Sequence, residues 1–305
     1  MSKNFPKLKG KAILSPMSGI TDVAFRALAA KYGAAMTFAG FVNSTAVVKG
    51  NEKTIKLIET DKIEKPVGVQ IFGNNPKEVA EAAFILEKKF DVIDFNSGCP
   101  APNITRINAG SELLNKPKLL YDILSELSSV NKPVSVKIRI GVKNINAVRI
   151  AKLAERAGVS AITVHGRMQK QSYAVPANWN VIKKVKENVN IVVIGNGDVA
   201  NPEIFKQKLE ESGVDYIAIG RGAIGNPFLF KQINDYLKSG EYQKKKRLFS
   251  EYLKLAKKHD LPFNCIKRQA IYFSKGIFDA TKLRNEIMKA NCIEELKEIV
   301  EKHEM

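Results

Sequence analysis

Cysteine is scarce in this sequence, and the three present, Cys99, Cys265 and Cys292, lie far apart. An odd number at such spacing provides neither a disulfide framework nor a metal-ligand cluster. Histidine is equally rare, and two of the three, His259 and His303, fall in the C-terminal tail, so no metal site is expected. No run of about 18 apolar residues occurs, which argues against a membrane-spanning helix. The opening "MSKNFPKLKG" has lysines but no apolar stretch behind them, unlike a secretory signal. A cytoplasmic protein is the simple expectation. Acidic residues are also short, 31 against 49 Lys and Arg, leaving a net charge of +18. That excess raises the local concentration of polyanions and favours nucleic acid, a membrane surface or acidic substrates. A lysine bias shared by the whole genome is the bland alternative.

The apolar and charged fractions, 45% and 26%, are those of a soluble globular protein. A chain of 305 residues holds one large domain, or a large one with an appendage. Eight apolar runs recur, separated by segments with helical spacing such as "NPKEVAEAAFILEKKF" and "NAVRIAKLAERAG". The runs are "KAILSPMSG", "MTFAGFV", "PVGVQIFG", "DVIDFNSGC", "PVSVKIRIG", "AITVHGR", "IVVIGNGD" and "DYIAIGRGAIG". Most are continuous rather than alternating, as strands buried on both faces should be. Eight such units predict an α/β fold, the (β/α)8 TIM barrel, spanning residues 1–238. A doubly wound sheet is the runner-up, but its glycine-rich turn after the first strand is missing from "SPMSGITD".

Beyond residue 238 the strand signal stops. Residues 239–305 read as a small all-helical domain, the alternative being helices that merely cap the barrel. From Lys244 to Lys289, thirteen Lys and Arg stand against four Asp and Glu.

A barrel of this kind carries its active site at the C-terminal ends of the strands. Those ends place Ser15, Pro16, Met17, Asn43, Gln70, Asn96, Cys99, Lys137, Arg139, His165, Arg167, Asn196, Gly197, Asp198, Gly220 and Arg221 around one mouth. "GNGD" and "GRGAIGNP" put glycines between strand and helix, where backbone N–H groups can face an anion. "GRGAIG" also fits the dinucleotide expression, but it follows the last strand rather than the first, so a cofactor carrying a monophosphate suits it better. Lys137, with Gln70 and His165 on other strands, would suit an anionic conjugated ring such as reduced flavin.

These residues resemble the tRNA-dihydrouridine synthases, FMN-dependent TIM-barrel reductases with a C-terminal helical domain. The matching pieces are "SPMSGITDVAFR", "VQIFG", "NSGCPAP", "VKIRIG", "VHGRMQKQSYAVPANW", "GNGD" and "IGRGAIGNPFLF", in the family's order. The resemblance implies reduction of the C5=C6 bond of uridines in tRNA, with FMN as cofactor and NADPH or NADH as reductant. It implies that Pro16, Met17 and Ser18 lie along the flavin, and that Gln70, Lys137 and His165 touch its ring or ribityl chain. Asn196, Gly197, Asp198, Gly220 and Arg221 would hold the phosphate end. Asn96 would bind the uracil, Cys99 would donate the proton, and Arg139 and Arg167 would help hold the substrate. Thiols are mostly protonated at neutral pH, which suits an acid. No membrane and no stable protein partner are implied.

Five positions depart from the family pattern: Ser97, Asn103, Asn108, Met168 and Asn178. Two other readings compete. A flavin barrel acting on a free pyrimidine, similar to dihydroorotate dehydrogenases, accounts for the phosphate loops but not for the basic tail. A non-catalytic RNA-binding barrel accounts for the tail but not for Cys99 and Lys137 together with those loops. Which uridine is modified, the choice between NADPH and NADH, and the oligomeric state are not legible in the sequence.

Overall fold

The computed structural model describes residues 3–244 and 246–303. Residues 1, 2, 245, 304 and 305, which belong to the two expected units, lie outside the described residues. The eight strands are β1 (Ala12–Leu14), β2 (Thr37–Asn43), β3 (Val67–Phe72), β4 (Val92–Ser97), β5 (Val134–Arg139), β6 (Ala161–His165), β7 (Val192–Asn196) and β8 (Tyr216–Ile219). All pair in parallel, in the order β1-β8-β7-β6-β5-β4-β3-β2. Two backbone bonds join β1 to the approach of β2, Leu14 N to Met36 O at 3.0 Å and Ala35 N to Ala12 O at 2.8 Å. These bonds close the sheet into the expected barrel.

Helices fill the connections: α1 (Val23–Lys31), α2 (Ser44–Val48), α3 (Glu52–Leu57), α4 (Pro76–Leu86), α5 (Pro102–Thr105), α6 (Pro117–Leu127), α7 (Ala147–Arg156), α8 (Trp179–Lys186), α9 (Pro202–Ser212) and α10 (Leu229–Ser239). Their starts are written in the sequence. Asp22, Asn43, Asn51, Asn75, Asn178 and Asn201 each accept a backbone N–H of the first turn.

Period-two alternation sorts each strand. Outward residues such as Val134, Val136 and Ile138 belong to the large core under the helices. At the floor of the barrel, Ile13, Met36, Phe38, Val92, Ala161, Ile194, Tyr216 and Ala218 pack with Phe5. Gly68 makes room there, because a Cβ at that position would lie 2.4 Å from the Phe38 ring. Above the floor, Asp94, Ser135 and Thr163 are buried polar residues. The strands are therefore not uniformly apolar, as their continuous runs suggested.

The tail forms α11 (Phe249–Lys258), α12 (Phe263–Phe273), α13 (Ala280–Lys289) and α14 (Ile293–Lys302). Its core is continuous with the barrel's. Phe273 meets Phe25 of α1 with ring centroids 6.3 Å apart, and Phe249 and Tyr252 complete the cluster. Gln269 donates to Ile20 O at 2.5 Å. Gly225 lets α12 approach the β8 loop, since a Cβ there would lie 2.0 Å from Tyr272 O.

The junction also carries a charge cluster. His259 lies 2.7 Å from Glu59 Oε1 and 2.8 Å from Asp61 Oδ2, and Lys258 lies 2.6 Å from Asp61. Burial alone would lower the His259 pKa, but hydrogen bonds to Glu59 and Asp61 raise it above the ordinary value. A raised histidine stabilises fully below its unfolded value near 6.5 and loses that contribution as pH climbs through the folded value. The difference in Tm between wild type and His259→Gln should be largest at about pH 6 and shrink towards about pH 9. Thermal denaturation across that range checks it.

Candidate active site

The C-terminal ends of the strands open into a cavity of about 910 Å³. Residues lining it come from the turn after β1, from each of the strands β2 to β8 and from the tail. Four cations, Lys137, Arg139, Arg221 and Lys275, stand there against one carboxylate, Asp198. The cavity therefore suits an anionic ligand.

On the β3–β5 side, polar residues join in one chain. Ser135 Oγ donates to Asp94 Oδ1 at 2.6 Å, and Gln70 Nε2 donates to Asp94 Oδ2 at 2.5 Å. Asn96 Nδ2 donates to Gln70 Oε1 at 2.7 Å. Asn96 Oδ1 then accepts the backbone N–H groups of Gly98 and Cys99, at 3.1 and 2.9 Å. The loop carrying Cys99 is held from two further directions. Ser111 donates its N–H and hydroxyl to Cys99 O at 2.9 and 2.8 Å. Arg139 Nε donates to Gly98 O at 2.9 Å, while its Nη1 reaches Met168 O at 3.0 Å. Cys99 lines the cavity; Cys265 and Cys292 do not.

Burial sets the protonation states here. It lowers the Lys137 pKa to about 8, with Arg139 adding to the effect and Asp94 and Cys99 opposing it. It raises Asp94 to about 6 against the bonds from Gln70 and Ser135. His165 falls to about 2, first through burial and then through Lys137, Arg139, Arg167 and Arg221, so its imidazole is neutral at ordinary pH.

On the β6–β8 side, Asp198 is the organiser. Its carboxylate accepts from Arg167 Nη2 at 2.7 Å, from Ala177 N at 2.7 Å and from Arg221 Nη2 at 3.1 Å. Arg167 also donates to Val175 O and Tyr173 O, at 2.7 and 3.1 Å. The Arg221 guanidinium sits 3.7 Å from the Tyr173 ring centroid, close enough for a cation–π contact. Asn196 Nδ2 donates to Ala218 O at 2.7 Å, linking β7 to β8.

Of the expected site residues, Pro16, Met17, Ser18, Gln70, Asn96, Cys99, Lys137, Arg139, His165, Asn196, Gly197, Asp198, Gly220 and Arg221 all line this cavity. Arg167 does not. Its buried guanidinium is spent on Asp198 and two carbonyls of the 168–178 loop, which makes it a clamp behind the wall. Asp198 lines the cavity, but its carboxylate aims Arg221 and would itself repel a phosphate. Asn43 is diverted as well. A register shift between Gly40 and Val42 turns Phe41 to the cavity, and Asn43 caps α2.

Tyr173, Lys275 and Gly276 were missed by the strand-end reading, since none lies at a strand end. Tyr173 carried a faint signal as the one aromatic residue in the long loop after β6. The departures from the family pattern have local explanations in three cases. Asn108 has φ +56°, a conformation that glycine or asparagine adopts readily. Asn178 caps α8 by accepting from Val181 N at 3.2 Å, as an aspartate would. Ser97 is buried and donates to Gly110 O at 3.4 Å. Met168 contributes its carbonyl to Arg139, and nothing in the structure explains Asn103.

A sequence model described as dihydrouridine synthase (Dus) matches residues 13–305. The chain is 38% identical over 238 residues to tRNA-dihydrouridine synthase B of Shewanella oneidensis, covering 77% of this chain and 74% of that one. It is 32% identical over 307 residues to the probable tRNA-dihydrouridine synthase of Aquifex aeolicus, covering 97% of each. Among solved structures, it is similar to histamine dehydrogenase from Rhizobium sp. 4-9, with a TM-score of 0.58 at 11% identity over 81% of this chain and 49% of that one. A 2-naphthoyl-CoA reductase gives a TM-score of 0.60 at 10% identity, over 75% of this chain and 50% of that one. The chain spans about half the length of these two, and at such identities the likeness speaks for the barrel alone.

Proposed function

This chain belongs to the dihydrouridine synthase family, and from that premise we infer that it reduces the C5=C6 bond of uridines in tRNA to 5,6-dihydrouridine. FMN is the proposed cofactor and NADPH or NADH the proposed reductant. The observation that carries this reading is one cavity combining a thiol, a cationic lining and glycine-rich loops on β7 and β8. Bound FMN, once reduced, would supply a hydride to C6 of the uridine.

The donor set fits that cofactor. Pro16, Met17 and Ser18 would lie along the ring, and Gln70 and His165 would hydrogen-bond it. Lys137 would offset its negative charge. Arg221 and the backbone of Asn196, Gly197 and Gly220 would hold the phosphate end. Neutral His165 can donate a hydrogen bond without adding charge to a site already rich in cations. Asn96 spends one Nδ2 hydrogen on Gln70 and keeps the other for the uracil. Cys99 would then donate the proton to C5.

The substrate base must leave its stack to reach this depth, at a cost of a few kcal/mol. Basic residues of the 239–305 tail, which we assign to RNA binding, would grip the phosphate backbone and offset that cost. Lys275 carries this positive surface to the cavity itself. Among the described residues no helix is long and apolar enough to cross a membrane. A tRNA substrate implies a cytoplasmic setting.

The test compares turnover by FMN-loaded protein, with NADPH and with NADH, on a tRNA transcript and on free uracil or orotate. Dihydrouridine formed in the transcript, with little turnover of the free bases, is expected. Turnover of the free bases alone would favour the free-pyrimidine reductase. A protein that takes up no FMN would favour the non-catalytic barrel.

A further inference from the structure

The buried carboxylate of Asp94 lies beneath the site and lines no part of the cavity, at 3% exposure. Its partners nevertheless lead straight to the reactive loop. We propose that Asp94 is a positioning residue: it sets the sense of the Gln70 and Asn96 amides and so holds the Gly98–Cys99 backbone in place. The proposal rests on the dihydrouridine synthase reading for what Cys99 does, and on this chain's geometry for the rest.

An ionised carboxylate can only accept hydrogen bonds. Gln70 must therefore present its NH2 group to Asp94 Oδ2, which turns Oε1 towards Asn96. Asn96 must answer with its own NH2 group, which turns Oδ1 towards the N–H groups of Gly98 and Cys99. Either amide reversed would set oxygen against oxygen or N–H against N–H. Both side chains are buried, so an unmade bond there is costly. Ser135 fills the other carboxylate oxygen, leaving Oδ2 to Gln70. The sense of the chain is fixed from both ends, by the acceptor at its foot and by the two backbone N–H groups at its head, so Asp94 and the loop hold one another.

Lys137 on β5 is the charged group that faces Asp94, and Arg139 and Cys99 act on Lys137 in turn. The carboxylate is held ionised against burial by Gln70, Ser135 and Lys137, with a pKa of about 6. Protonation would let Asp94 donate to Gln70 and release the chain from its single sense.

The experiment reads hydrogen exchange of the peptide spanning residues 96–100, together with single-turnover dihydrouridine formation. In Asp94→Ala, exchange of the Gly98 and Cys99 amides should rise by about tenfold or more, the loss of one such bond. Transfer to tRNA should slow by about 10²-fold, the scale of a small misplacement of a reacting group. Flavin reduction, which Asp94 can reach only through Gln70 and Lys137, should slow by less than transfer to tRNA, so the two half-reactions separate an effect on the loop from one on the flavin. Asp94→Asn can offer Gln70 a donor as well as an acceptor, as the protonated acid can, so it should also lower the protection and remove its pH dependence. The wild-type protein supplies a measurement independent of any variant: protection of the two amides, corrected for intrinsic exchange, should fall below about pH 6. Wild-type protection in Asp94→Ala, or pH-independent protection in the native protein, overturns the proposal. Failure of the wild type to make dihydrouridine would instead overturn the functional reading, and the exchange result would still stand for the loop.

Discussion

Replacing Cys99 by alanine is expected to slow dihydrouridine formation on tRNA by about 10²- to 10⁴-fold, the usual contribution of a positioned general acid. The bound flavin should still be reduced by NADPH or NADH at the wild-type rate, because the proton transfer proposed for the thiol falls after that step. The geometry makes the effect specific. Cys99 lines the cavity on a loop held by Asn96 from β4, Arg139 from β5 and Ser111 from the turn that follows. None of these bonds uses the thiol, so alanine removes the proposed proton donor and keeps the bonds that hold the loop. Rapid-mixing kinetics separates the two half-reactions. An unchanged rate of dihydrouridine formation on intact tRNA would remove Cys99 from the mechanism.

The largest effect on stability is expected at Glu64, which does not line the cavity. Arg26 and Glu64 form a fully buried ion pair, Nε to Oε2 at 2.8 Å. Arg26 also donates to Thr21 O at 2.9 Å and to Glu59 O. Glu64 accepts from Thr37 Oγ1 at 2.7 Å and from Asp61 N at 3.0 Å. Glu64→Ala leaves a buried guanidinium without its counter-charge and should cost about 3–5 kcal/mol. Arg26→Met with Glu64→Leu removes both charges together and should cost much less, because neither is then left unpaired. Denaturant unfolding of the three proteins measures the difference. The effect should reach the tail too, since Glu59 and Asp61 in the same segment hold His259 and Lys258.

Both cases show where sequence reading reaches and where it stops. The barrel was legible because eight βα repeats are a one-dimensional pattern, and the mouth was legible because strand ends can be counted. Cys99, Lys137, His165 and the β7 and β8 glycines followed from position alone. Arg26 sat in plain view within "SPMSGITDVAFR", yet nothing in that motif names Glu64 as its partner. Asp94 was hidden for a different reason. In "DVIDFNSG" it reads as a polar interruption of a buried strand, and only the alternation of faces turns it towards Gln70 and Ser135.

What the sequence by itself determined is the set of short-range facts: strand and helix periods, caps such as Asn178 and Asn201, the excess of positive charge, and a cysteine between glycine and proline at a strand end. These depend on neighbours a few residues away, and the chain carries them as a pattern. Only the tertiary structure decided how the long polar side chains are used. Arg167 is spent on Asp198, Asn43 became a helix cap behind a bulge, and Tyr173 and Lys275 arrived at the mouth from the loop after β6 and the turn after α12. A long polar side chain takes whichever buried acceptor the fold brings within about 3 Å. That acceptor lies tens or hundreds of residues away, at a separation that no local spacing encodes.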